Sequence, residues 1–360
     1  MVTVNLGYLE KRGVASSLIE KLEMYRKYIS DSRFREDYKA LKYAANGYVH
    51  YCIEKLDELE VIDALEGGAT VNEICERKGI EHKDMLELML NILVGRDMLI
   101  YSNGEYQIKE IENPFSEEQY KWLDENYPAS TEFTMFLLEH SEEVLKTGEP
   151  IEEAGFQGEF MEVWDNMMEE FPYSFKMMML QKMDIGNGDK ILDLGCGSGS
   201  LLEMILQDAD EPVYLTGIDM SQDSLEIARE RLQKIKRNTN SDIMRANIDR
   251  IELKQCNLIK NFPQNDTFDH VISSLVFHHI SKEERETIIE NISCILHPGG
   301  KLGIYEFMHP SEYEPLPFWL MHCVPTHNQY PFRDEFLSIV GENFDSVKTY
   351  AEDTVIIARK

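Results

Sequence analysis

The chain has 360 residues, 43% of them hydrophobic and 28% charged, so it can bury the cores of two domains and lacks the composition of a disordered protein. Its 36 Lys and Arg against 66 Asp and Glu give a formal charge of -30, which argues against nucleic acid or an anionic membrane as a partner. Six cysteines without a C-x-x-C pair, and no long uncharged apolar run, favour a cytoplasmic protein with reduced thiols.

Residues 1–110 are predicted to form a helical region that ends in a hairpin. Apolar residues recur at three- and four-residue spacing near Leu18–Tyr28 and again over Tyr48–Ile62. Thr70 and Glu73 have capping-box spacing and predict a helix, a second helix follows, and Asn103-Gly104 predicts a turn between two short strands. Helix, helix and hairpin in this order are typical of a winged helix.

The predicted winged helix is acidic, which bears on its role. Residues 70–110 contain five Lys or Arg and eight Asp or Glu, a balance unsuited to reading the major groove of DNA. We therefore interpret residues 1–110 as a dimerisation domain. A regulator that binds DNA through this region is a remote alternative.

Residues 111–188 are predicted to be a helical linker and active-site cover. Seven of the 18 methionines fall between residues 161 and 183. Methionine is a flexible filler of apolar cores, and it can also form an adaptable wall over an apolar substrate. The pattern alone leaves both roles open.

Residues 189–360 alternate short apolar strands with amphipathic helices. The predicted strands are Ile191–Leu194, Val213–Ile218, Val271–Leu275, Lys301–Tyr305 and Val355–Ala358. This alternation predicts an α/β domain with a Rossmann-like, doubly wound parallel sheet, in which ligands bind at the carboxyl ends of the strands.

A glycine turn follows the first of these strands directly. Its residues are Asp193, Leu194, Gly195, Cys196, Gly197, Ser198 and Gly199. Three alternating glycines before a helix let a ligand approach bare backbone. A carboxylate at Asp193 would attract a cationic amino-acid group and repel a pyrophosphate, so the turn favours the former ligand over a dinucleotide.

Later residues complete the predicted cofactor site. Asp219 ends the second strand, 20 residues beyond Gly199, where an acid can accept hydrogen bonds from ribose hydroxyls. Further candidates are Met220 beside it, Asn257 for the adenine edge, Leu258 for the adenine ring, and Ser274 near the end of Val271–Leu275.

These motifs resemble the class I methyltransferases that depend on S-adenosylmethionine (SAM). The similarity is carried by Ile191–Gly199, by Gly217-Ile-Asp-Met220, by Phe268-Asp269 and by Leu296-His-Pro-Gly-Gly300. With the acidic N-terminal region, the whole chain is similar to small-molecule O-methyltransferases that dimerise through a winged helix. The resemblance implies SAM as cofactor, a small-molecule hydroxyl acceptor in secondary or specialised metabolism, and a homodimer.

In that subfamily a histidine after the fourth strand acts as base, usually followed by Asp-Trp. Here Phe277-His278-His279 occupies the place, so the base is either His278, favoured by alignment, or His279. Glu306, at the end of the fifth strand, could orient a histidine, and His327 is a further candidate. An alternative is an α-keto acid C-methyltransferase in which His279 with His327 or His322 holds a divalent metal.

Overall fold

A computed structural model describes residues 31–152, 160–170, 173–264, 266–311, 314–325 and 329–360. The helical pattern predicted at Leu18–Tyr28 lies outside these ranges. No helix in the described ranges is long and apolar enough to cross a membrane.

The N-terminal region begins with the long helix α1, Ser32–Glu58, capped by Asp31, whose Oδ1 accepts hydrogen bonds from the amides of Arg33 and Phe34. It continues with α2 (Val61–Ala64), α3 (Val71–Lys78), α4 (Lys83–Gly95), β1 (Leu99–Ser102) and β2 (Glu105–Ile108). The predicted capping box is present, with the Glu73 amide 3.2 Å from Thr70 Oγ1 and the Thr70 amide 2.9 Å from Glu73 Oε2. The predicted hairpin is present as the antiparallel pair β1–β2. Its interpretation as part of a dimerising winged helix stays a prediction.

Four helices connect this region to the sheet: α5 (Glu117–Asn126), α6 (Pro128–Thr147), α7 (Phe160–Glu170) and α8 (Tyr173–Met183). On α8, Met178, Met179 and Met183 are buried in a hydrophobic cluster with strands β3 and β7 described below. These methionines therefore fill the core. Met167 and Met168 on α7 instead line a cavity.

The second half is a seven-stranded sheet. Its strands are β3 (Lys190–Leu194), β4 (Tyr214–Asp219), β5 (Glu252–Gln255), β6 (Phe268–Ser274), β7 (Leu296–Tyr305), β8 (Ser346–Tyr350) and β9 (Val355–Arg359). The order is β5-β4-β3-β6-β7-β9-β8, and β9 runs in the opposite direction to the other six strands. The accompanying helices are α9 (Ser200–Asp208), α10 (Gln222–Asn238), α11 (Asp242–Ile248), α12 (Lys282–Ile295) and α13 (Arg333–Asn343). The predicted α/β doubly wound fold is confirmed.

Two strands were not predicted from the sequence, β5 and β8, which form the two edges of the sheet. Their side chains are mostly exposed or half-buried, so neither carries the apolar run that marks an interior strand. The five predicted strands are each found, shifted or extended by a few residues at their ends.

The direction of the strand order reverses at β3, which pairs in parallel with β4 on one side and with β6 on the other. In that register Asp193 lies opposite Gly217 and Ile272. The loops after β3, β4 and β6 therefore meet at one edge, the position at which open α/β sheets bind ligands.

The helical region is fastened over this edge by buried polar contacts. Asp37 on α1 accepts hydrogen bonds from the Tyr127 hydroxyl at 2.9 Å and the Ser174 amide at 2.8 Å. Farther along α1, the Tyr48 carbonyl accepts a hydrogen bond from Trp319 Nε1 at 2.9 Å. The N-terminal helix is thus a roof over the carboxyl ends of the strands.

We expect Asp37→Ala to lower the free energy of unfolding by roughly 2 to 4 kcal/mol, because it leaves a buried hydroxyl and a buried amide without an acceptor. Urea denaturation would measure the change. Asp37→Asn, which keeps one acceptor, should cost less, and Glu36→Ala, at an exposed position on the same helix, should cost almost nothing. Equal losses in Asp37→Ala and Glu36→Ala would contradict the fastening role.

Candidate cofactor and acceptor site

A cavity of about 1680 Å³ lies at the carboxyl edge of the sheet, beneath the helical roof. It brings together most of the predicted site residues: Gly195, Gly197, Asp219, Met220, Asn257, Leu258, Ser274, His278 and His279. Pockets for a single drug-sized ligand typically measure roughly 300 to 1,000 Å³. The volume therefore suits a cofactor and an acceptor side by side.

The glycine turn forms one end of the cavity. Gly195 has φ +66°, and a Cβ there would lie 2.5 Å from Val276 Cγ2, so the turn and the loop after β6 approach as only glycine allows. Gly197 has φ +52° and open space where a side chain would project, which leaves the backbone accessible to a ligand. Gly199 sits behind them as the residue before α9.

Asp193, at the start of the glycine turn, is a buried carboxylate in an unusual environment. It is 1% exposed, and within the described part of the chain neither carboxylate oxygen has a hydrogen-bond partner. Burial, followed by the repulsion of Asp219, raises its pKa to about 8, and the positive charge of Lys176 acts in the opposite direction. A buried carboxylate without donors is costly unless a cation reaches it. The site therefore fits the ammonium group of SAM.

Asp219 lines the cavity at the end of β4. Its Oδ2 accepts a hydrogen bond from the Gly197 amide at 2.9 Å, and its Oδ1 accepts one from the Ser221 amide at 2.8 Å. Burial raises the pKa of this carboxyl group. Each oxygen keeps acceptor capacity for a ribose hydroxyl, so Asp219 would hold both the turn and the ribose.

The predicted adenine region lines the same cavity. Met220 is 65% exposed, and Leu258 and Ser274 also face the cavity. Asn257 Oδ1 accepts hydrogen bonds from the amides of Ile259 and Lys260, which close a local turn. The contact of Asn257 with an adenine edge stays a prediction.

Cys196 is placed differently from its neighbours in the turn. Its side chain is buried in the hydrophobic cluster beneath the sheet edge, and burial raises the pKa of its thiol. Only the backbone of Cys196 is therefore available to the cofactor site.

The acceptor end is built on the neighbouring strands β6 and β7. Ser274 pairs with Tyr305, so the residues that follow these two strands meet. Glu306 comes directly after β7, and the short 3₁₀ helix Phe277–His279 follows β6. Glu306 Oε1 lies 2.9 Å from His278 Nδ1, and its Oε2 accepts a hydrogen bond from the Phe277 amide at 2.8 Å.

His278 and Glu306 are both buried, with 4% and 0% exposed surface. Glu306 Oε1 also accepts a hydrogen bond from its neighbouring amide, Phe307, at 3.0 Å. A carboxylate can only accept hydrogen bonds, so His278 Nδ1 donates to it. The geometry thus provides a histidine with a fixed tautomer at the cavity wall.

The second predicted histidine is adjacent but differently held. His279 is half-buried and lines the cavity, and its ring centroid lies 4.1 Å from that of His278. Tyr330 also contacts His278, with its ring stacked on the imidazole at 4.7 Å and 10°. His327, the third histidine of the prediction, lies outside the described residues.

Aromatic rings continue from Tyr330 along the acceptor end. Phe318 lies 5.6 Å from Tyr330, 5.3 Å from Phe307 and 5.4 Å from Tyr48 between ring centroids. The segment between β7 and α13 contributes to this wall, because Phe318, Met321 and Pro325 line the cavity. Sequence reasoning missed Tyr48 and Tyr330 as lining residues, because the helical pattern around Tyr48 indicates only burial.

Helix α7 closes the cavity from the side with Trp164, Met167 and Met168. Arg231 on α10 fastens this helix. Its guanidinium lies 3.0 Å from both Asp165 oxygens and 2.7 Å from Glu169. These ion pairs join α7 to helix α10 of the sheet domain.

Within the described ranges, no three His, Cys, Asp or Glu side chains form a group that could hold a metal ion. His322, one of the candidate ligands, is buried with its ring 5.1 Å from that of His82. Burial lowers its pKa to about 3.

Comparison with known proteins identifies the domain. A family model described as a methyltransferase domain matches residues 192–302. The carboxy-S-adenosyl-L-methionine synthase of Trichodesmium erythraeum is 25% identical over 187 residues, which are 50% of this chain and 67% of that protein. The chain covers only 52% and 44% of two further curated methyltransferases that it matches.

Solved structures share the fold over nearly the whole chain. The CurJ carbon methyltransferase superposes with a TM-score of 0.63 at 14% identity and covers 98% of both chains. An O-methyltransferase family protein from Burkholderia thailandensis gives a TM-score of 0.51 at 16% identity, covering 88% of this chain and 94% of its own. Both carbon and oxygen methyltransferases are therefore among the proteins with this architecture.

We expect Asp219→Ala to weaken SAM binding by roughly 1 to 3 kcal/mol, because a charged acceptor for the ribose and for the glycine turn is lost. Isothermal calorimetry with SAM and S-adenosylhomocysteine would measure the affinity. Glu226→Ala, an exposed change on the following helix α10, is the matched control and should leave it unchanged. Unchanged affinity in Asp219→Ala would disprove the ribose assignment.

Proposed function

We propose that the chain is a class I SAM-dependent methyltransferase that methylates a hydroxyl group of a small-molecule acceptor, with His278 as general base. The observation that carries the proposal is the buried pair of His278 Nδ1 and Glu306 Oε1, 2.9 Å apart at the wall of the cavity. A histidine is suited to take a proton near neutral pH.

The roles of the two residues follow from the hydrogen bond. Because Nδ1 donates to Glu306, the lone pair of the neutral imidazole is on Nε2, which takes the acceptor's proton. Glu306 then stabilises the imidazolium that forms, and it touches no substrate, so it is a positioning residue. This favours His278 over His279 as the base.

The cofactor end prepares the reaction by binding and alignment. Bound SAM supplies an electrophilic methyl group on its sulfonium. Asp193 would pair with the ammonium group, and Asp219 would hold the ribose. Holding the acceptor oxygen in line with the methyl group is the main task left to the cavity walls.

The acceptor we propose is planar and hydroxylated, such as a phenol or an enol of specialised metabolism. Support comes from the rings of Tyr48, Phe307, Phe318 and Tyr330, which favour stacking against a flat apolar molecule. Such hydroxyls are also acidic enough for a histidine base.

Carbon methylation is the second candidate. It is favoured by the likeness to the CurJ carbon methyltransferase over 98% of both chains. An enol that loses its proton to His278 becomes an enolate, which is nucleophilic at both oxygen and carbon. The atom that the cavity presents to the methyl group would then decide the product, with no change in the base.

The test is transfer of a ¹³C-labelled methyl group from SAM to a panel of phenols, enols and β-dicarbonyl compounds. The chemical shift of the labelled methyl distinguishes O-methyl from C-methyl products. With an active acceptor, His278→Ala should lower kcat by roughly 10²- to 10⁴-fold with SAM affinity nearly unchanged, and His279→Ala should lower it far less. Full activity of His278→Ala would refute the histidine-base mechanism.

We also propose that the protein is a cytoplasmic homodimer that dimerises through residues 1–110. The six cysteines are all free, which suits a reducing compartment. Light scattering of the full chain should give twice the mass of one chain. A monomer at micromolar concentration would contradict the dimerisation role.

A further inference from the structure

Arg285 places a positive charge inside the protein behind the acceptor site. It lies on α12, is 4% exposed, and is absent from every motif of the sequence. Burial lowers the pKa of its guanidinium, and the carboxylate of Glu306 acts most strongly in the opposite direction. Burying an arginine side chain costs free energy unless its guanidinium is hydrogen-bonded, so the partners of this group indicate what it does.

The guanidinium joins two separate segments of backbone. Its Nε donates to the Phe277 carbonyl at 3.2 Å, and its second terminal nitrogen donates to the Gln329 carbonyl. The same segments are also tied directly, since the Gln329 amide donates to the His278 carbonyl at 3.1 Å. Arg285 thus connects the residue before His278 to the residue before Tyr330.

This connection determines what surrounds the imidazole. Tyr330 directly follows Gln329, and its ring is stacked on that of His278 at 4.7 Å and 10°. Glu306 contacts the edge of the same imidazole at Nδ1. One contact fixes the direction of a ring nitrogen and the other fixes the plane of the ring.

We propose that Arg285 is a positioning residue, which clamps the His278 turn to the Tyr330 segment and thereby holds the imidazole in a single tautomer and orientation. Its catalytic meaning rests on the proposed role of His278 as base. The clamp itself is testable without any acceptor.

The experiment uses full-length protein labelled with ¹⁵N at histidine, observed through two-bond proton–nitrogen correlations in the presence of S-adenosylhomocysteine. His278→Gln identifies the His278 signals. In the wild type these should show one protonated and one unprotonated ring nitrogen. In Arg285→Met, Arg285→Lys and Tyr330→Leu the separation of the two nitrogen shifts should shrink by roughly half, because the tautomers interconvert.

Two variants serve as controls. Tyr330→Phe keeps the stacked ring and should keep the wild-type signals. Lys282→Met removes an exposed cation on the same helix, where it pairs with Glu335 on the surface, and should change nothing. Arg285→Lys retains a cation that cannot span both carbonyls, so it tests the clamp even if Arg285→Met does not fold.

Wild-type His278 signals in both Arg285→Lys and Tyr330→Leu would overturn the proposal. With an acceptor from the labelled-methyl screen, Arg285→Lys should lower kcat roughly tenfold while S-adenosylhomocysteine affinity stays the same. A changed imidazole with unchanged kcat would overturn the role of His278 as base and leave the clamp standing, so the two failures are distinguishable.

Discussion

The buried carboxylate of Glu306 is the constraint around which the acceptor end is organised. With no exposed surface, it must find its hydrogen-bond donors within the protein, and it finds them in the Phe277 and Phe307 amides and in His278 Nδ1. Satisfying this group bends the chain after β6 into a short helix and turns an imidazole toward the cavity. The orientation of the His278 ring thus follows from its hydrogen bond to this buried carboxylate.

The cofactor end contains a buried carboxylate, Asp193, with a different environment. Asp193 is as inaccessible as Glu306, yet within the described residues its oxygens receive no hydrogen bond. One acid is satisfied by the fold, and the other is left for a ligand to satisfy. The two ends of the site therefore differ, with Glu306 held by three donors of the protein and Asp193 left without a donor among the described residues.

The parts of the site that are contiguous in the chain could be predicted from the sequence. The glycine turn follows β3 directly and Asp219 is the last residue of β4, so the spacing of the motifs along the chain predicts where both lie. Alignment alone favoured His278 over His279, and the contact of His278 with Glu306 could not be predicted because it depends on the pairing of β6 with β7.

Other parts left no local signal at all. Arg285 and Tyr330 contact the His278 turn through long-range interactions, and nothing about an arginine in the charged first turns of an amphipathic helix indicates that it is buried there. The edge strands β5 and β8 were missed because half-exposed strands lack apolar runs. Long-range register, rather than motif, therefore determines the acceptor half of the site.

The hydrogen bond from Trp319 to Tyr48 joins positions 271 residues apart. It makes the acceptor wall a composite of the first described helix and the insertion after β7, whereas the cofactor cradle is made entirely within the sheet domain. Mutations that change the shape of this wall can therefore accumulate without altering the cofactor cradle. They must, however, occur together in the first described helix and in the insertion after β7. A chimera that exchanges only one of these two segments should have a wall whose halves do not pack together. Transfer of acceptor specificity to another protein therefore requires both segments.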